Sequence, residues 1–115
     1  MDDAGITAVN RAHLGHDRPT DVISFSYDPL PGETARSGEV LVNLEQARRE
    51  GRRRSGPSRE LALYIVHGCL HLAGETDDTP AARARMRRHE RAWIEKARAA
   101  GLTEDLFERK PRGGG

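Results

Sequence analysis

Two histidines in the middle of the chain have the spacing of a metal site. His67 and His71 lie four residues apart in the apolar stretch IVHGCLHLA, which has the composition of a helix facing a core. Residues four apart on a helix project from one strip of its surface, so both imidazoles can reach a single metal ion. The alternative is a pair of core histidines that hydrogen-bond to backbone carbonyls. The residues that follow the pair bear on this choice.

These following residues favour the metal site. Gly74 suits the position just past a helix end and lets the chain turn back across the strip. An acidic cluster then follows, and we take Asp77 as the third ligand, with Asp78 and Glu75 as competitors. A solvated acidic loop is the alternative for this cluster. Two histidines and one carboxylate leave an open coordination position, as a catalytic zinc ion requires.

The residue after the first histidine argues against a peptidase. In zinc proteases with the pattern His-Glu-x-x-His, this glutamate is the general base. The chain has Gly68 at that position, and only Glu60 or Glu90 could take its place. A metallopeptidase-like hydrolase is therefore the weaker alternative.

The first half of the chain predicts one helix, two strands and a second helix. Asp2 and Asp3 can cap a short helix that ends near Gly15. The segments DVISFSY and EVLVN have the apolar, β-branched composition of strands. Asn43 can cap a helix through about Glu50, after which GRRRSGPS is predicted to be an exposed basic loop.

The second half predicts two longer helices. Ser58, or Ser55 ahead of Pro57, can cap the central helix RELALYIVHGCLHLA. Thr79 and Pro80 fit the start of a last helix that runs to about Ala100. Apolar residues at helical spacing are expected to face the core. On the central helix these are Leu61, Ile65, Val66, Cys69, Leu70, Leu72 and Ala73, and on the last helix Met86, Trp93, Ile94 and Ala97.

Length and composition indicate one small domain. The chain has 115 residues, 36% of them hydrophobic, which is enough for a single modest core. The net charge is +1, and the only lysines are Lys96 and Lys110, so nearly all positive charge is arginine. Cys69 is the only cysteine, which excludes an intramolecular disulfide and a thiolate zinc cluster. With no signal-peptide pattern and no membrane-length apolar run, we predict a soluble cytoplasmic protein. We expect one domain over residues 1–110 and a disordered tail over 111–115.

Three segments match the motifs of one known family. HGCLHLAG fits the signature His-Gly-x-Leu-His-Leu-x-Gly, NRAHLGHDRPTDVISF fits the strand entry Asp-x-Pro-Thr-Asp-Val-Leu-Ser-Phe, and GEVLVN fits the strand Gly-Asp-Ile-Val-Ile. From about Asp2 to Gly101 the chain resembles the YbeY family of bacterial metal-dependent endoribonucleases, which also has Met and Glu where Met86 and Glu90 lie. The resemblance implies an α+β fold of the α/β type. It consists of a small mixed sheet packed against helices, with the metal site on the central helix and the following turn.

The resemblance also implies a function. By this resemblance, the protein is expected to be a single-strand-specific, metal-dependent endoribonuclease that acts in 16S rRNA 3′-end maturation and ribosome quality control. One Zn²⁺ per chain, or another divalent metal, is expected at His67, His71 and Asp77. The expected partners are ribosomal RNA and the ribosome or its small-subunit proteins, with no membrane and no DNA contact. Candidate RNA-binding residues are the arginines of the basic loop and one aromatic residue: Arg52, Arg53, Arg54 and Tyr64. A solvated loop and simple packing are the respective alternatives.

The chain departs from the family in three places. The third histidine of the family motif falls on Asp77, whose negative charge should make the metal a weaker Lewis acid. The family's cleft arginine falls on Leu14, so its role is not carried over. The chain also opens after the family's first strand, helix and strand, which predicts either a misassigned start or a truncated form. We expect two strands, an open sheet edge, and poor solubility or association through that edge.

A third function stays open besides nuclease and peptidase. A ribosome-associated factor could use the metal only to lock the central helix to the turn after it. A fourth protein ligand would close the coordination position and indicate this role; the candidates are His89, Glu75 and Asp78.

Overall fold

Four helices and two strands follow one another along residues 1–107, the part of the chain that the computed structural model describes. Their bounds are α1 Asp3–Leu14, β1 Val22–Tyr27, β2 Ser37–Val42, α2 Leu44–Arg53, α3 Pro57–Leu72 and α4 Pro80–Ala99. The predicted α+β class is confirmed. The predicted tail at 111–115 and the predicted domain end at 110 lie outside the described residues.

The two strands form an antiparallel pair. Val22 lies opposite Val42 at one end of the ladder, and Tyr27 lies opposite Ser37 at the other. The sheet expected from the family was mixed, whereas the sheet of residues 1–107 contains this single antiparallel pairing. The reason is local, because the loop between consecutive strands folds the chain back on itself.

Three helix starts are as predicted, each with a side-chain cap. The Asp2 carboxylate accepts a hydrogen bond from the Gly5 amide at 2.7 Å. The Asn43 side-chain oxygen accepts from the Gln46 amide at 3.1 Å, and Thr79 Oγ1 accepts from the Ala82 amide at 3.0 Å. Such caps satisfy amides that have no partner inside the helix.

The start of the central helix differs from the prediction. Neither Ser58 nor Ser55 caps α3; its N-cap is Gly56, at a φ of 104°, with Pro57 in the first turn. The preceding helix runs on to Arg53, so the first three residues of the predicted basic loop are helical. Gly51 explains both results, because a Cβ on it would lie 2.4 Å from Pro57 Cα. A residue without a side chain lets the two helices meet through a very short turn.

The central helix α3 packs on α2, on both strands and on α4. Its buried residues Leu61 and Tyr64 form a cluster with Ala47 of α2. Some of the predicted core residues are instead exposed: Ile65 at 42%, Trp93 at 53%, and Cys69 and Ala73. The apolar face of α3 is wider than the surface that its neighbours cover. No helix within residues 1–107 combines the length and the hydrophobicity needed to cross a membrane.

Gly68 sets the rotation of α3 on the sheet. A Cβ on it would lie 2.6 Å from Val40 Cγ1 and 3.0 Å from Val22 Cγ2. Ser24 Oγ on β1 also donates a hydrogen bond to the Gly68 carbonyl at 3.0 Å. Because this face of the helix meets the strands so closely, the neighbouring His67 is directed away from the sheet, toward α4.

Candidate metal centre

His67 and His71 point their Nε2 atoms at each other. These two atoms are 3.0 Å apart, and the imidazole rings are nearly perpendicular, at 79°. Two nitrogens bound to one zinc ion at about 2.0–2.1 Å lie about 3.3 Å apart in a tetrahedral site. One helix therefore brings two nitrogens to almost the separation that a shared ion requires.

The partners of the Nδ1 atoms determine which nitrogens carry protons. His71 Nδ1 lies 3.1 Å from the Glu75 carbonyl oxygen, which can only accept, so this Nδ1 donates. His67 Nδ1 contacts the carboxylate of Glu90 on α4. In the neutral imidazoles both Nε2 atoms then present lone pairs to each other, and a cation between them relieves the repulsion. The Glu90 contact also raises the pKa of His67, because a carboxylate favours the imidazolium form.

Asp77 reaches the same point from the turn after α3. One ligand atom from each of His67, His71 and Asp77 lies within 4.8 Å of the others. Gly74, at a φ of 94°, makes the turn that brings the carboxylate back. Arg83 on α4 holds this turn by donating a hydrogen bond from Nη1 to the Asp77 carbonyl at 3.2 Å.

The competing carboxylates are engaged elsewhere. The Glu75 side chain meets His89 Nδ1 at 2.6 Å, and Asp78 accepts a hydrogen bond from Thr76 Oγ1 at 2.8 Å. Within residues 1–107 no fourth histidine, cysteine or carboxylate joins the group of three. Two imidazoles and a carboxylate are a donor set that could hold a divalent metal and leave a position open.

Comparison with known proteins agrees with the motifs. The family model described as Endoribonuclease YbeY matches residues 1–98. The chain belongs to the YbeY family. The protein named Endoribonuclease YbeY from Rhodopirellula baltica is 46% identical over 92 residues, which cover 77% of this chain and 46% of that protein. Its namesake from an Anaeromyxobacter species is 42% identical over 101 residues, covering 87% and 51%. The one from Moorella thermoacetica is 36% identical over 104 residues, covering 82% and 67%. The chain thus spans about half the length of the first two.

A cavity of about 350 Å³ opens beside the candidate metal centre of this YbeY-family chain. His67, Asp77 and Glu90 contribute to its wall. Further polar groups on the wall come from α3, from α4, and from residues just after α2 and just before β1; they include Glu60, Arg83, Arg87, Arg54 and Asp21. The cavity therefore offers a reactant both the ligand group and several arginines.

The candidate RNA-binding residues lie in different places. Arg54 lines the cavity and contacts Glu60 at 3.4 Å. Arg52 lines a separate depression on the other side of α2, and Arg53 lies 4.0 Å from Glu50. Tyr64 is only 4% exposed, so packing accounts for it and little of its ring is left for a base. Of the four residues, Arg54 alone combines exposure with a position at the cavity.

The sequence interpretation did not assign Arg83 and Arg87, which line the cavity from α4. A signal for them existed. They precede Glu90 by seven and three residues, which places all three on one face of a helix. Reading α4 for polar residues in register with Glu90 would have found them.

Proposed function

We propose that this chain is part of an endoribonuclease that cleaves RNA with a divalent metal bound by His67, His71 and Asp77. The observation that carries the proposal is the convergence of two Nε2 lone pairs and a carboxylate beside a cavity lined by arginines. Membership of a family whose relatives are named endoribonucleases supports the same reaction.

The metal proposed is one zinc ion per chain. Zinc favours imidazole nitrogens and carboxylate oxygens, which are the ligands present here. When bound, it supplies a Lewis acid for a phosphate oxygen and makes water more acidic. The protein's own residues do the positioning: Glu90 and the Glu75 carbonyl orient the two imidazoles, and Arg83 holds the turn that carries Asp77.

The proposed substrate is single-stranded ribosomal RNA in the cytoplasm. The expected processes are 16S rRNA 3′-end maturation and ribosome quality control, in contact with the ribosome or its small-subunit proteins. The family resemblance supports these assignments. Exposed arginines around the cavity support an anionic polymer as the reactant, since guanidinium groups bind phosphates through paired donors.

Contacts of α3 disfavour the two alternatives. A peptidase would need a general base after the first histidine, but Gly68 is pressed against Val40 and Val22, where no glutamate side chain fits. A purely structural metal would need a fourth protein ligand, and none joins the group within residues 1–107. Both observations favour a site that keeps a position open for a reactant.

Metal analysis combined with an RNA cleavage assay tests the proposal. Purified chain should contain about one divalent metal, and His71→Ala should lose both the metal and cleavage of a single-stranded RNA. His16→Ala, which removes an exposed histidine outside the cavity lining, should keep both. Metal retained by His71→Ala would refute the ligand assignment. Bound metal without RNA cleavage would favour the structural role.

A further inference from the structure

A groove leads away from the metal centre between α3 and α4. A second cavity, of about 230 Å³, is lined by Arg59, Leu63, Arg87, Glu90, Arg91 and Ile94. It shares Leu63, Arg87 and Glu90 with the cavity beside the metal centre. The two cavities therefore adjoin each other along α4, and we call them together the α3–α4 groove.

Three arginines of α4 follow the length of this groove. Arg83 lines the metal end, Arg87 lines both cavities, and Arg91 lines the far end. They are spaced four residues apart, so they share one strip of the helix and are separated by about 6 Å of rise per step. All three are exposed. The helix thus presents a row of guanidinium groups that begins at the metal centre.

Most donor groups of these three arginines have no partner within residues 1–107. Arg87 and Arg91 make no hydrogen bond or ion pair with any residue of the described range 1–107. Arg83 donates one hydrogen bond to the Asp77 carbonyl, and its other donors have no partner in the described part of the chain. Guanidinium groups with free donors along a groove can bind a series of anionic groups.

Apart from Asp77, the proposed metal ligand, the carboxylates of the groove already have partners. Glu90 contacts His67, and Glu60 contacts Arg54 at 3.4 Å. The remaining pairs are Asp21 with the Val22 amide at 2.8 Å and Glu50 with Arg49 and Arg53, each at 4.0 Å. Because the acidic groups are engaged and the α4 arginines are not, the groove favours an anion over a cation.

We propose that the α3–α4 groove binds the sugar–phosphate backbone of the RNA strand, with Arg83, Arg87 and Arg91 contacting successive phosphates. This inference rests on the proposed function and names the path of its substrate. It assigns RNA contact to α4, whereas the sequence had suggested Arg52, Arg53, Arg54 and Tyr64. Phosphate contacts fix the register of a strand and carry no base information, so binding along the groove is independent of sequence.

Two double alanine variants of α4, one inside the groove and one outside it, test the proposal. Arg87→Ala with Arg91→Ala removes two charges inside it. Arg85→Ala with Arg88→Ala removes two from exposed positions of α4 that line neither of its cavities. Binding of a fluorescent single-stranded RNA is measured at several salt concentrations, with and without added zinc. The groove pair should lower the slope of log affinity against log salt by about 1.4, at about 0.7 per phosphate contact, and the control pair should leave it unchanged.

Cleavage kinetics separate this proposal from the proposed function. The groove pair should raise KM about tenfold or more with little change in kcat, since it removes binding rather than chemistry. If the groove pair cleaves RNA with a normal KM and an unchanged salt slope, the groove proposal is overturned and the nuclease proposal stands. Absence of cleavage in the wild type, with the slope still dependent on Arg87 and Arg91, would overturn the nuclease and leave the groove.

Two further outcomes are decisive. Equal loss of RNA affinity in both pairs would mean that α4 acts only as a diffuse positive surface, which overturns the groove. Thermal melting checks folding; because Arg87 and Arg91 are exposed, the groove pair should melt as the wild type does. If it melts early, Arg91→Ala alone, with an expected slope change of about 0.7, supports or overturns the groove in its place.

Discussion

The Nδ1 atom of His67 on α3 contacts the carboxylate of Glu90 on α4, so one imidazole of the candidate metal centre is oriented by a separate helix. The other histidine, His71, is oriented by the backbone carbonyl of Glu75, at the end of its own helix. A side-chain substitution can remove the contact with Glu90, but it cannot remove the backbone carbonyl of Glu75. The packing of α4 on α3 therefore helps to orient the candidate metal centre.

Glu90→Gln should weaken metal binding about 10- to 100-fold. The amide keeps a hydrogen-bond acceptor but loses the charge that favours donation from Nδ1 and makes Nε2 a better ligand. Glu95→Gln is the matched control, because Glu95 lies on the same helix and pairs with Arg98 in solvent. Competition with a fluorescent zinc chelator measures both. Equal affinity in wild type and Glu90→Gln would show that the contact does not support the ligand.

Substitutions at Asp77 test the third ligand. Asp77→Ala should abolish tight metal binding, because only two ligands, the histidines, remain. Asp77→His should preserve metal binding, because it restores the histidine that the family has at this position. Asp78→Ala should have little effect, since this carboxylate accepts a hydrogen bond from Thr76 outside the group. Metal content after purification distinguishes the variants. Loss of metal in Asp78→Ala with retention in Asp77→Ala would place the ligand one residue later.

Features set by neighbouring residues could be predicted from the sequence. The caps at Asp2, Asn43 and Thr79 depend on contacts within three residues. The metal group depends on a pair four apart and on the turn at Gly74, which brings Asp77 back within six residues of His71. In each case the geometry follows from one helix turn or one sharp bend, so residue type and spacing are sufficient.

Features set by packing between helices could not be predicted. Trp93 fits the apolar period of α4, yet it is 53% exposed, because α4 covers only part of the wide apolar face of α3. The contact of Glu90 with His67 and the position of Arg87 depend on how α3 and α4 are rotated about their axes. The sequence shows the period of each helix but not this mutual rotation.

Gly68→Ala should destabilise the fold by about 1–2 kcal/mol. Alanine gains up to about 1 kcal/mol over glycine in a helix interior, but its methyl group would lie 2.6 Å from Val40 Cγ1, and overpacking costs about 1–3 kcal/mol or more. Urea unfolding measures the change. Because Val40→Ala removes the clashing methyl, Gly68→Ala should cost less in that background. An equal cost in both backgrounds would show that Val40 does not limit the approach of α3.

The carboxylate of Asp3 links α1 to α2 through two hydrogen bonds. It accepts hydrogen bonds from Arg49 Nη1 at 3.0 Å and from the buried Asn43 side chain at 2.7 Å, so it links the start of α1 to the start of α2. These bonds, the Arg49 bond first, hold the pKa of Asp3 at about 2, below its usual 3.8. A carboxyl group with a lowered pKa in the folded state contributes stability above its unfolded pKa and loses it as the pH falls.

Asp3→Asn should therefore lower the free energy of unfolding by about 1 kcal/mol at pH 7, a modest loss because water screens a partly exposed carboxylate. The difference from wild type should shrink as the pH falls from about 4 through about 2, because Asp3 then becomes protonated in the folded state as well. Asp17→Asn, which removes an exposed partner of Arg11, should change stability by less than about 0.5 kcal/mol. Urea titrations at several pH values measure these differences. A constant difference between Asp3→Asn and wild type from pH 7 to pH 2 would mean that the charge of Asp3 does not stabilise the contact between α1 and α2.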